Sequence, residues 1–213
     1  MSLAARVAEV QERVARAAAG RRVTLVAVSK THPPELVRAA HAAGLRVFGE
    51  NYVQEWAGKR DALADLDLAW HFVGHLQRNK AKDVAGKVAL VHGVDGLPLA
   101  QALDRRAEQD VLVEVNLGGE ASKAGVAPEE LPALLDGMRA LPRVRCRGLM
   151  CIPPPGEDPR PHFRRLAALG KEHRLEELSM GMSDDYEVAI EEGATIVRVG
   201  TAIFGERATT RQP

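Results

Sequence analysis

Two periodicities alternate along this chain. Short continuous apolar runs rich in Val, Ile and Leu occupy residues 23–29, 46–49, 69–74, 88–94, 111–116, 144–150, 175–180 and 195–200, and runs of this length and composition read as strands buried on both faces. Between them lie stretches with helical apolar spacing. Their N-terminal signals are Pro33-Pro34, Asn51, Asn79, Gly96-Leu97-Pro98, Ala127-Pro128, Asp158-Pro159 and Asp184. Ahead of the first strand, Leu3, Val7, Val10, Val14 and Ala17 share one face, with Arg6, Glu9, Glu12, Arg13 and Arg16 interleaved, which predicts an amphipathic helix. Strands alternating with helices imply a parallel sheet, and eight such units close a barrel. The pattern therefore predicts an α/β chain folded as a single (β/α)8 TIM barrel with an extra N-terminal helix, covering residues 1–205. The polar residues 206–213 are expected to form a loose tail.

Composition narrows the function. A single domain of 213 residues buries roughly 70% of its unfolded surface and needs no disulfide or metal to fold. Cys146 and Cys151 fall in and just after one apolar run, which suits a reduced, cytoplasmic protein. The charge balances, with 29 Lys and Arg against 29 Asp and Glu, and no basic block is interleaved with aromatics, so nucleic acid is not the expected partner. The N-terminus lacks the continuous apolar centre of a signal peptide, and no stretch reaches the length of a membrane span. A small ligand is expected.

Lys30 stands directly after the first strand run, and Thr31-His32-Pro33-Pro34 stops that strand at once. A partly buried lysine at a strand-to-helix junction is a candidate Schiff-base nucleophile, because burial disfavours the ammonium and frees the amine. In a βα barrel the site lies at the carboxyl ends of the strands, with phosphate commonly held after strands seven and eight. Those two segments read Ser179-Met180-Gly181-Met182-Ser183-Asp184-Asp185 and Arg198-Val199-Gly200-Thr201. Ser183, Gly200 and Thr201 suit an anion, although Asp184 to Glu187 also matches a capping box. Arg198 interrupts an apolar strand, on the side of Ile196; it either forms an internal ion pair with Glu50 or Glu114 or points a fixed cation at a ligand.

Asn51 reads either as an N-cap with Gln54 as partner or as an amide at the barrel mouth. His71 and His75 straddle a strand end without a third ligand at a recognised spacing, so no metal site is expected. Lys123, in a polar loop after strand five, reads as solvent-facing. The longest irregular stretch, 151–159, reads as a rigid proline loop over the mouth. Glycine-rich dinucleotide, Walker-type and nucleophile-elbow motifs are absent, which points to a small phosphorylated ligand.

The segments Val26-Ala27-Val28-Ser29-Lys30-Thr31, Phe48-Gly49-Glu50-Asn51-Tyr52-Val53-Gln54-Glu55, Trp70-His71-Phe72-Val73-Gly74, Leu178-Ser179-Met180-Gly181-Met182-Ser183 and Val197-Arg198-Val199-Gly200-Thr201-Ala202-Ile203-Phe204-Gly205 resemble, in order, the pyridoxal phosphate homeostasis protein family. That family is a branch of the barrel found in alanine racemase (fold type III). The resemblance implies that the cofactor is pyridoxal 5'-phosphate (PLP), with Lys30 carrying it as an internal aldimine. Ser183, Gly200 and Thr201 would then hold the phosphate, Arg198 would face the pyridine nitrogen, and Asn51 would lie near the phenolic oxygen. His32 and His75 stand where the family often has lysine and proline. The implied function is vitamin B6 homeostasis without dedicated turnover, in a monomer serving apo PLP-dependent enzymes. An arginine at the ring nitrogen keeps it neutral and a poor electron sink, and the barrel uses the whole chain, leaving no second domain to carry a racemase's opposing base. The alternatives are a fold-type III racemase or decarboxylase and a cofactor-free Schiff-base aldolase.

Overall fold

The computed structural model describes residues 1–119 and 124–206; Lys123 and the tail from residue 207 onward lie outside the described residues. Eight parallel strands form a closed barrel, each paired with the next and the last with the first. They are β1 (Thr24–Val28), β2 (Val47–Glu50), β3 (Ala69–Phe72), β4 (Leu90–Val94), β5 (Gln109–Glu114), β6 (Val144–Met150), β7 (Glu177–Ser179) and β8 (Ile196–Val199). The helices are α1 (Leu3–Ala18), α2 (Pro34–Ala42), α3 (Val53–Ala62), α4 (Ala81–Val84), α5 (Leu97–Asp104), α6 (Leu131–Arg139), α7 (Arg160–His173), α8 (Tyr186–Glu191) and α9 (Thr201–Phe204).

The alternation of side chains along each strand sorts the core into two layers. Val26, Val73, Leu90, Leu112, Met150 and Ile196 fill the barrel interior. Their neighbours Ala27, Phe72, Val91, Val111, Val113, Leu149 and Val197 pack outward against the helices. Helix α1 buries Val7, Val10, Val14 and Ala18 against α2, α8 and α9. It is tied there by Arg6, whose Nε donates to the Ile203 carbonyl at 2.7 Å, and by an ion pair between Arg13 and Glu187.

Several boundaries depart from the sequence pattern. Strand β5 begins at Gln109, before the apolar run, because the buried Gln109 amide is satisfied locally: it donates to the Val88 carbonyl at 3.1 Å and accepts from the Gly86 amide at 3.0 Å. The stretch expected to be helical from Asn79 is a 3-10 turn, Arg78–Lys80, followed by the four-residue α4. Asn51 does not cap α3, whose cap position is Tyr52, and Asp184 does not cap α8, whose cap position is Asp185. Among the described residues, no helix is long and apolar enough to cross a membrane.

Candidate functional site

Lys30 follows Val26 and Val28 at the two-residue period of β1, so its side chain turns into the barrel mouth. It lines a chamber of about 250 Å³ together with Asn51, Ser183, Arg198, Gly200 and Thr201. All six candidate residues meet in this one chamber. The turn after Lys30 is strained, since Thr31 adopts φ 66°, which is costly for a β-branched residue.

Neighbouring elements hold this turn. The Thr31 amide donates to Glu55 Oε2 at 2.9 Å. Lys59, only 5% exposed, donates to the Ser29 carbonyl at 2.7 Å and to Glu50 Oε1 at 2.6 Å, while the Ser29 hydroxyl donates to the same Glu50 oxygen at 2.6 Å. Burial pushes the Glu50 carboxyl above its usual range, opposed by the hydrogen bonds from Lys59 and Ser29. The sequence reading missed Lys59 and Glu55, whose helical i,i+4 spacing looks like an ordinary solvent-facing pair.

Ser183 does not serve α8 as a cap. Its Oγ accepts from the Gly200 amide at 3.2 Å and the Ala202 amide at 3.3 Å, so the segments after β7 and β8 meet at one hydroxyl. Asp185 holds the N-cap position of α8 without a side-chain cap bond; its Oδ1 accepts instead from the preceding Met182 amide at 2.6 Å. Gly200 is needed for close approach, because a Cβ there would lie 3.2 Å from the Val28 carbonyl oxygen. Asn51 sits at the mouth of β2 with its Oδ1 buried and without a hydrogen-bond partner among the described residues.

Arg198 forms no direct ion pair with Glu50 or Glu114 among the described residues. Its Nη1 donates to Ser179 Oγ at 2.6 Å and its Nη2 to the Cys151 carbonyl at 3.0 Å. A chain of hydrogen bonds continues from there across the interior: Ser179 Oγ lies 2.8 Å from His92 Nδ1, and His92 Nε2 lies 2.9 Å from His71 Nδ1. The guanidinium can only donate, so Ser179 Oγ accepts from it and keeps one proton and one lone pair for the bond to His92. With the Ser179 proton on the bond to His92 Nδ1, His92 carries its proton on Nε2 and donates to His71 Nδ1, and His71 carries its own on Nε2; with His92 donating to Ser179 instead, the order along the chain reverses. Burial supports the neutral forms, lowering His71 to about 4 and His92 well below 6.5, with the nearby Arg198 charge adding to the effect on His92. His92 escaped the sequence reading because one histidine in an apolar run has no spacing signature.

No group of three or more His, Cys, Asp or Glu suited to a metal occurs among the described residues, and His75 lies 3.5 Å from Asp95 instead of joining His71. Both cysteines are free thiols; burial raises Cys146 to about 11 and Cys151 to about 12, so neither is a ready nucleophile.

Residues 2–208 match the family described as alanine racemase, N-terminal domain. The pyridoxal phosphate homeostasis protein of Aquifex aeolicus is 50% identical, over 97% of this chain and 99% of that protein. The protein of the same name from Pseudomonas aeruginosa is 51% identical, over 97% of this chain and 96% of its own length. Among solved structures, PipY of Synechococcus elongatus with PLP bound superposes with a TM-score of 0.86 at 40% identity, covering 96% of this chain and 100% of that one. Alanine racemase from Corynebacterium glutamicum shares the fold, with a TM-score of 0.72 at 18% identity, and is covered over 63% of its chain.

The hydrogen-bond chain predicts a specific NMR result. At pH 6 both His71 and His92 should appear as neutral imidazoles in the same tautomer, both Nε2–H or both Nδ1–H; a charged ring or unlike tautomers would contradict the chain. Stability carries the same signature. The unfolded chain begins to bind protons at His71 near pH 6.5 while the folded chain waits until about 4, so this contribution to stability is lost as pH falls through that window.

Proposed function

The chain belongs to the pyridoxal phosphate homeostasis protein family, and from that premise we propose that it holds PLP on the Lys30 amine and acts as a cofactor store and donor, with no dedicated turnover of its own. One observation carries this reading: an inward-facing lysine at the end of β1 shares a chamber with the Ser183 and Thr201 hydroxyls and the Arg198 guanidinium. The residues present fit the cofactor. Asn51 offers a buried Oδ1 with no hydrogen-bond partner among the described residues, and the Gly200 and Ala202 amides both donate to Ser183 Oγ, bringing the two phosphate-suited segments together. When bound, PLP supplies a reversible linkage to amines and a ring that can delocalise charge.

The chain's own residues would then divide the work. Ser183, Gly200 and Thr201 would hold the phosphate as charge-assisted donors. Arg198, already anchored on Ser179 and the Cys151 carbonyl, would meet the ring nitrogen as a donor that does not give up its proton. Arg198 in that place would leave no proton for the ring nitrogen to take and so would disfavour proton abstraction from a bound amino acid. The Lys59, Glu50 and Glu55 clamp would keep Lys30 aimed into the chamber. The monomer and the apo PLP-dependent enzymes as recipients complete this reading.

Two measurements test it. Ser183→Ala and Thr201→Ala should each weaken PLP binding about tenfold or more, from a lost charge-assisted hydrogen bond of roughly 1.5–3 kcal/mol, while leaving unphosphorylated pyridoxal nearly unaffected; equal losses for both ligands would mean that these hydroxyls serve folding. Holoprotein incubated with L- or D-alanine in deuterated water should exchange the α-proton far more slowly than about 1 per second. Exchange at that rate or faster would establish an enzyme.

A further inference from the structure

The barrel mouth contains a second chamber, of about 310 Å³, that meets the cofactor chamber along Asn51, Val73 and Ile152. Most of its wall is apolar, with Met150 and Pro153 to Pro155 joining Val73 and Ile152. Glu114 lines it and is 8% exposed. The Glu114 carboxylate accepts no hydrogen bond from the described residues; its electrostatic neighbours are Arg198, Asp95 and His75. The carboxylate lies over β4 at a place kept open by glycine, since a Cβ at Gly93 would come within 3.3 Å of Glu114 Oε2. Asn51 Oδ1 is the second acceptor at this wall, buried and without a hydrogen-bond partner among the described residues.

Asn51 Oδ1, a buried acceptor with no donor among the described residues, bears a cost that a suitable ligand would remove, and Glu114 brings a carboxylate to the same wall. Such a ligand must bring N–H groups, and opposite Glu114 a positive charge is favoured. A primary ammonium has both, with three donors on a compact charge. The apolar wall suits an alkyl stem. An α-carboxylate beside the ammonium would instead bring further acceptors and like charge toward Glu114.

We propose that this chamber binds a primary alkylammonium group of the lysine side-chain kind, with its nitrogen between Glu114 and Asn51 and its stem along Val73, Met150 and Ile152. The chamber shares Asn51 with the cofactor chamber and has Glu114 to itself; its meaning, that a recipient amine waits beside the cofactor held on Lys30, rests on the reading above.

Calorimetric titration of the full chain with n-butylammonium tests the site. Saturable binding is expected. Norvaline, which adds an α-carboxylate to the same stem, and neutral n-butanol should each bind about tenfold more weakly or worse, and these comparisons use the unaltered protein. Glu114→Gln should weaken n-butylammonium about tenfold or more while changing PLP affinity less than twofold. Absence of saturable n-butylammonium binding, equal binding of norvaline, or an unchanged affinity in Glu114→Gln would overturn the proposal. Loss of PLP binding from the unaltered chain with n-butylammonium binding intact would count against the cofactor reading alone.

Discussion

Lys59 is the side chain on which the geometry of the mouth depends. It is an ammonium taken almost wholly out of water, joined to the Ser29 carbonyl and to Glu50, and it ties α3 to the ends of β1 and β2 at once. Breaking a buried pair of this kind by removing one partner costs about 3–5 kcal/mol, because the other charge is left uncompensated. Here the cost falls directly beneath the positive-φ turn at Thr31. That strained turn is held by Glu55 through the Thr31 amide, and Glu55 itself lies 3.5 Å from Lys59. The result is a turn after Lys30 held by its neighbours and not by the conformational preference of Thr31.

Barrel closure explains the rest of the arrangement. It drives alternate residues of all eight strands into one dry interior, where a polar group must find a partner or bear the cost of lacking one. Arg198 solves this with neutral partners, Ser179 and the Cys151 carbonyl, and the serine passes the hydrogen bond on to two uncharged histidines. Among the described residues no carboxylate accepts directly from Arg198; burial lowers its pKa from the ordinary value, opposed electrostatically by Cys151, Glu114 and Asp185, and the guanidinium lines the chamber.

Much of the fold was legible because it rests on local pattern. Eight apolar runs separated by helical spacing are a strong signal, and β6 matches its run at both ends. Lys30 and Arg198 stood out for a related reason, since a long cation at or within an apolar strand must be met by a partner or a ligand. What stayed hidden depends on contacts between elements distant in sequence. Lys59 reaches Ser29 from α3, His92 joins residues of β3 and β7, and Gln109 extends a strand only because its amide is satisfied by loop backbone. Asn51 and Asp184 were ambiguous because a short polar residue before a helix is usually a cap, and in this chain the caps fall one residue later.

The central claim is that Lys30, and no other lysine, carries the cofactor. Reduction of the PLP-loaded protein with borohydride freezes the linkage, and peptide mapping by mass spectrometry then locates it. The account predicts the reduced pyridoxyl group on Lys30 in near-stoichiometric yield; a label found mainly on Lys80, Lys123 or spread over surface lysines would contradict it.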